Sequence, residues 1–300
     1  LQIYKTKKMK GILKMNKYRL ITDSGADITK EMAQQHEIDL IPFSILIDDK
    51  EYWETIDLTT QQFYELAVKS PTIPKTNQIT TGRFEEKIIK CLDDGVQDII
   101  IVTINSAGSG TYQAALNAKA NLSDRLDGVN LHIIDSHTYS IGYGYPVVEA
   151  AKKLKAGKSV KSVIDYLEDW FAQVQVCLVG FDLRHMKKSG RITAAASFMG
   201  ELMGIRPIIR MKNDKTMVVQ KVRGDKAVIE AAVEYVAQTL VPETPWTLLR
   251  TTVTEYEEAF VKGLTKKIGY PPAFEGYSGC AVSSNAGTKM FAILYKTNLE

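Results

Sequence analysis

The first apolar run, "YRLIT" (18–22), stops at Asp23. The next stretch, "DITKEMAQQHE", has apolar residues at helical spacing behind an Asp27 or Thr29 cap. "IDLIPFSILIDDKEYWE" (38–54) reads as strand, turn and strand, with Asp48–Asp49–Lys50 at the turn. "LTTQQFYELAVK" is a short amphipathic helix, "SPTIPKTNQIT" (70–80) a proline-punctuated loop, and "GRFEEKIIKCLDDG" a helix closed by Gly95. "DIIIVTI" (98–104) is apolar without alternation, as a parallel strand covered on both faces requires. "NLHIID" is another strand, and "SHTYSIGYGYPVVEAAKKLKAG" runs into a long helix.

Strands alternating with helices predict a parallel, Rossmann-like sheet, whose ligands sit at the carboxyl ends of the strands. Asp23, Ser106 and Asp135 all follow strands, so their loops are expected at one edge. After the helix "VKSVIDYLEDWFAQ" the texture changes. "VQVCLVGF", "IRPIIRMKNDKTMVVQKVR" and "TPWTLLRTT" read as strands, the middle pair a hairpin around Asn213–Asp214, with helices "DKAVIEAAVEYVAQTL" and "YEEAFVKGLTKKIG" between later strands. The fold class is α/β with two domains. A Rossmann-like parallel sheet is expected over residues 15–156, and an α+β domain with a mixed or antiparallel sheet over 157–300.

Charge changes the picture at one end. The 300-residue chain carries a formal +3, but residues 1–16 hold five lysines and no acid, so the rest is −2. A mildly acidic body does not point to nucleic acid. Residues 1–14 read as an upstream extension, expected to be mobile, with Met15 a natural start. No apolar run reaches the ~20 residues of a membrane span. Three cysteines far apart (Cys91, Cys177, Cys280) suit a reducing, cytoplasmic setting. The four histidines show no ligand spacing, so no metal is expected.

The candidate chemistry begins with what is missing. No G-x-x-x-x-G-K-[ST] loop is present, and no ATP site is expected. G-x-G-x-x-G does not follow the first strand, and "SAGSG" is not a nucleophile elbow. "DSGAD" (23–27) spaces its two acids too widely for a carboxylate-phosphatase pair, which leaves a strand-end aspartate capping the next helix. "TINSAGSGTYQAA" (103–115) is different: small, rich in hydroxyls and uncharged, at a strand-to-helix turn. Gly108 and Gly110 permit close backbone approach, and the helix from Thr111 aims free N–H groups outward. That is an anion site without a base or a cation, with Ser106 and Ser109 as added donors and Thr76 and Asn77 of "KTNQ" alongside. A plain helix cap explains the same residues. "SGRITAAASFMGELMGI" (189–205) combines small residues with Phe198, Met199 and Met203, suited to a flexible apolar partner or to a buried core helix.

Taken together these segments resemble the DegV family. "TDSGAD", "IPKTNQIT", "INSAGSGTYQAA", "IIDSHTYSIGYG", "LRHMKKSGRIT" and "KVRGDKAVIEA" are similar to its motifs in order and spacing, from about residue 17 to the C-terminus. The resemblance implies a two-domain protein that binds one long-chain fatty acid, such as palmitate, with no other cofactor. It implies a carboxylate held at Thr76, Asn77, Ser106, Ser109 and Gly110. The acyl chain would lie in a slot that includes Phe198, Met199 and Met203. It further implies a lipid-binding subunit without its own ATP site. Such a subunit presents the carboxylate to a separate ATP-binding fatty acid kinase subunit, which makes an acyl phosphate for phospholipid synthesis. Arg223 and Asn285 are the expected presentation residues. Asn285, expected in a loop, stands where the family has His, and Asn77 stands where it often has Ser. Two alternatives remain: a stand-alone fatty-acid carrier or sensor, and an enzyme acting on a carboxylate or phosphate through Asp23 and Ser106.

Overall fold

The computed structural model of the chain describes residues 18–196 and 204–299. The expected extension at 1–14 and the expected slot residues Phe198, Met199 and Met203 lie outside the described residues.

The first half runs β1 (Tyr18–Asp23), α1 (Lys30–Gln35), β2 (Ile38–Ile41), β3 (Ser44–Ile47), β4 (Lys50–Trp53), α2 (Thr60–Lys69), β5 (Lys75–Asn77), α3 (Thr81–Asp93), β6 (Asp98–Thr103), α4 (Thr111–Asn121), β7 (Asn130–Asp135), α5 (Ile141–Lys155) and α6 (Val160–Gln173). Four strands form a parallel sheet in the order β2-β1-β6-β7. Ile99 to Val102 of β6 are fully buried, which accounts for the unbroken apolar run.

The stretch 38–54 is more divided than its pattern suggests. Pro42 has no N–H to donate, and the chain breaks there. β2 stays in the parallel sheet, while β3 and β4 form a hairpin elsewhere. Its turn residues Asp48 and Asp49 have φ of 46° and 64°, the left-handed pair that a two-residue hairpin turn needs. The loop expected at 70–80 contains a short strand: β5 pairs antiparallel with β3, setting Ile45 opposite Thr76 and Ser44 opposite Asn77.

The second half runs β8 (Val174–Gly180), α7 (Arg184–Ser189), α8 (Thr193–Ala196), β9 (Ile205–Lys212), β10 (Lys215–Arg223), α9 (Asp225–Thr239), β11 (Trp246–Arg250), α10 (Thr254–Ile268), β12 (Phe274–Tyr277), α11 (Cys280–Ala286) and β13 (Met290–Lys296). Its sheet order is β10-β9-β8-β13-β11-β12. All its pairings are antiparallel except β11 with β12. The β9–β10 turn repeats the hairpin solution, with Asn213 and Asp214 at φ 48° and 61°.

Three apolar clusters hold these layers. The first packs the parallel sheet under its helices and includes Trp170 of α6. Pro146 interrupts α5 and cannot bond the Gly142 carbonyl; the Trp170 indole N–H donates to that oxygen instead, at 2.8 Å. The second cluster surrounds Trp246 with Phe260 and Phe291. The third lies between the sheets, where Ile141 of α5 meets Val176, Leu178, Met211, Leu249 and Leu294. Trp53 lies apart, at the end of the first hairpin, with the Arg83 guanidinium 4.4 Å from its ring centre.

Candidate functional site

A cavity of about 620 Å³ opens where the two halves meet. That volume suits a small-molecule ligand. Its first-half wall is largely polar: Thr76, Asn77, Gln78 and Thr80 come from β5 and its exit, and Ser106 to Gly110 from the turn after β6. Its second-half wall is apolar: Val176, Leu178, Met211, Leu249, Met290 and Leu294 project from the facing sheet. Arg191, Tyr139, Ser140 and one side of α11 add to the lining, with Phe43, Ile104, Ile192 and Ala292 between them.

The polar turn is fixed from behind. Asp23 Oδ2 accepts the Ile104 N–H at 2.8 Å, and Asp135 accepts the Ser106 N–H at 3.1 Å. Asn105 Oδ1 accepts the Ala107 N–H at 2.7 Å. Ser109 Oγ sits 2.8 Å from Thr111 Oγ1 and accepts the Thr111 N–H at 3.3 Å. Thr111 Oγ1 accepts the Ile79 N–H at 3.3 Å, which draws the β5 exit against the start of α4. The Ser106 hydroxyl has no protein partner among the described residues, and it lines the cavity.

Close packing explains the two glycines. A Cβ on Gly108 would lie 2.4 Å from the Tyr139 hydroxyl, and one on Gly110 2.0 Å from Gln78 Oε1. Both partners line the cavity, so the glycines let a tyrosine and a glutamine crowd the turn. At the start of α4 Ser109 Oγ takes the Thr111 N–H, and the following first-turn N–H groups add positive potential there.

The residues singled out from sequence divide into three groups. Thr76, Asn77, Ser106, Ser109, Gly110 and Asn285 all line the one cavity. Within that group Asn77 is already engaged: its amide donates to Ser44 Oγ at 3.0 Å and faces Glu51 at 3.5 Å. Asn285 lies in α11 and not in a loop; its amide donates to the Ala281 carbonyl at 2.8 Å and reaches Thr76 Oγ1 at 3.4 Å. Thr76 accepts there, so its own proton stays available to another acceptor. Arg223 is the second group: it is exposed at the end of edge strand β10 and does not line the cavity. The slot residues outside the described chain are the third.

Sequence reasoning matched Arg191 of "KKSGRIT" to the family pattern but placed no cation at the turn, and Arg191 supplies one. Its guanidinium donates to the Ser189 carbonyl at 2.7 Å and reaches the Gly108 carbonyl at 3.5 Å. Arg191 lies 83 positions from Gly108, and only the fold joins them. Gln78 and Tyr139 were also missed; the glycines they crowd were the one available signal.

Asp23 is not placed for chemistry on a ligand. It is 1% exposed, outside the cavity, and its oxygens accept from Gly25, Ile104 and the Tyr143 hydroxyl. Burial pushes its carboxyl up to about 7 against those hydrogen bonds. Among the described residues no group of three or more His, Cys, Asp or Glu is placed to hold a metal ion, and no helix is long and apolar enough to cross a membrane.

Comparison with known proteins agrees with this architecture. A DegV domain-containing protein of Caldanaerobacter subterraneus is 25% identical over 284 residues, covering 94% of this chain and 99% of the relative. One from Staphylococcus aureus is 30% identical over 215 residues, 71% of this chain and 73% of the relative. A stearic acid-binding protein from Eubacterium ventriosum superimposes with a TM-score of 0.82 at 20% identity, covering 93% of this chain and 98% of the other. DegV of Bacillus subtilis, described as a fatty acid binding protein, superimposes at 0.77 with 25% identity, covering 94% and 99%. The family model for the uncharacterised DegV proteins spans residues 17–298. With that match over nearly the whole chain, this protein belongs to the DegV family.

Proposed function

We propose that the protein binds a single long-chain fatty acid in the inter-sheet cavity. The carrying observation is the two-sided wall: hydroxyls, side-chain amides and Arg191 on one side, and apolar side chains of a single sheet on the other. Thr76, Ser106, Ser109 and the N–H groups around Gly110 hold the carboxylate, with Gln78 and Arg191 added to the set. Asn77 contributes through the strand it anchors. Burying roughly fourteen methylenes at ~0.8 kcal/mol each supplies on the order of 11 kcal/mol before ordering costs. A carboxylate left without partners would oppose that gain, and the hydroxyl-rich turn removes the penalty. Relatives of the same fold described as fatty-acid binding support the reading.

Mass spectrometry of organic extracts from the purified protein tests it. A long-chain fatty acid at about one per chain is the expected result. Extracts without fatty acid, combined with no binding of added palmitate or oleate, would overturn the reading.

The protein further serves as the lipid-presenting partner of a separate ATP-dependent fatty acid kinase subunit. Apart from Arg191 the partners of the carboxylate are neutral, which leaves an oxygen nucleophilic toward a phosphoryl group. Asn285 donates a hydrogen bond beside Thr76 but carries no titratable proton near neutral pH. Asn285→His is therefore expected to raise acyl phosphate formation when such a subunit and ATP are supplied. An unchanged rate would count against a presenting role at that position.

A further inference from the structure

Two carboxyl groups unused by the ligand cavity lie buried behind its wall. Asp27 is 9% exposed and Glu54 2%. A Cβ on Gly279 would stand 2.5 Å from Asp27 Oδ1 and 2.6 Å from Glu54 Oε1, so both oxygens crowd one point of the backbone. No salt bridge reaches either group among the described residues. Two ionised carboxylates buried side by side without a counter-cation repel each other, which favours a proton on one of them.

Their partners connect them to the cavity. The Ser140 hydroxyl, on a residue held at φ 57°, donates to Asp27, and Ser140 lines the cavity. Glu54 accepts the Ala281 N–H at 3.1 Å and the Ser24 hydroxyl at 2.6 Å. It thereby caps α11, whose residues Ala281, Val282, Asn285 and Ala286 line the cavity. One acid pair thus braces two walls contributed by different halves of the molecule.

We propose that Asp27 and Glu54 share one proton, and that this proton holds Ser140 and α11 in the arrangement that binds the ligand. The two acids are positioning residues, and affinity is linked to pH through them. The inference rests on the fatty-acid reading above for its ligand.

The acids around the pair favour retention of the proton, while the Ser140 and Ser24 hydroxyls and the Ala281 N–H oppose it. Asp23 faces it from β1, with the Tyr143 hydroxyl of α5 on Asp23. Tyr64 faces it from α2 and the Cys280 thiol from α11. The cavity on the outer side adds Glu31, Asp57, Glu275 and Lys30. Asp57 is engaged by the Trp53 N–H, and Glu275 by Arg250. Burial first, then mutual repulsion, raises the Asp27 carboxyl, and burial raises that of Glu54. The stabilising proton is present at low pH and is lost as pH rises through the raised titration of the pair.

Palmitate affinity and the melting temperature of the unliganded protein, followed from about pH 6 to about pH 9.5, test this. Wild type is expected to lose about tenfold or more in affinity over the alkaline half and to melt lower there. Asp27→Asn keeps the left-handed conformation at φ 53° and offers an amide donor to Glu54, imitating the protonated pair. It should hold affinity within about twofold over the same range. Glu54→Gln is the second variant if the first folds poorly. Wild-type affinity independent of pH, or a variant profile parallel to wild type, overturns the proposal. If palmitate binds at no pH, the fatty-acid reading has failed. The melting profiles alone then decide the shared proton: parallel profiles sink it, and a flattened variant profile upholds it.

Discussion

Ser106 and Thr76 each bring one hydroxyl to the cavity, and neither hydroxyl is required by the core. Ser106 Oγ has no protein partner among the described residues, and Thr76 Oγ1 only accepts from Asn285 at 3.4 Å. Losing a neutral hydrogen bond to a charged group costs about 1.5–3 kcal/mol. Ser106→Ala combined with Thr76→Ala should therefore weaken fatty-acid affinity by about tenfold or more, with the melting temperature nearly unchanged. Titration calorimetry of the double variant checks this; affinity equal to wild type would remove both residues from the site. The five residues that sequence reasoning placed at the carboxylate line one cavity, because they fall in two short contiguous stretches, β5 and the turn after β6, whose chemistry is written locally. Arg191 was illegible for the opposite reason. Its contact with Gly108 is set by how two sheets face each other, and no local pattern encodes that.

At the level of elements, the strongest periodicities were the most legible. β6 and the β9–β10 hairpin were readable because unbroken burial and a left-handed turn pair leave direct marks in sequence. β5 was not: three residues give no periodicity, and its strand character comes from pairing with β3. α11 was missed because "CAVSSNA" is short and small, and its N-terminus is capped from the other half by Glu54. Pro146 gives the clearest case of one element completing another. Trp170→Phe keeps most of the ring volume but strands the Gly142 carbonyl that Pro146 has already left open. The loss should be about 1–3 kcal/mol, read as a lower denaturation midpoint with unchanged slope. Adding Pro146→Ala restores the helical donor, so the double variant should recover part of that loss. No recovery would show that the indole acts by packing alone.

For the molecule as a whole, buried acids set the direction of the pH response. The folded state raises Asp23 to about 7 from a reference near 3.8. Folding therefore binds a proton that the unfolded chain releases at lower pH. This contribution is fully present below about pH 4 and declines as pH rises to about 7, on the order of 4 kcal/mol in total. Among carboxylates whose values are lowered, Asp182 is held down chiefly by Arg184, so its contribution fades in the opposite direction, toward acid. Melting temperature should fall from about pH 5 to about pH 8, and scanning calorimetry across that range measures it. A flat or rising profile would contradict the burial of Asp23 as a cause.

The chain has three tryptophans, and the fold distributes them as optical probes. Trp170 is buried in the first apolar cluster, Trp246 in the second, and Trp53 lies half-exposed under Arg83. Indole emission shifts to longer wavelength when water replaces an apolar shell, so single-tryptophan versions of the protein would give a colour to each region. Loss of the first core should redden Trp170 while Trp246 stays blue, and loss of the second should do the reverse. Coincident red shifts of the two through a urea titration would mean that both cores melt as one cooperative unit. Separate midpoints would mean that the ligand cavity, which needs both walls, disappears with whichever core yields first.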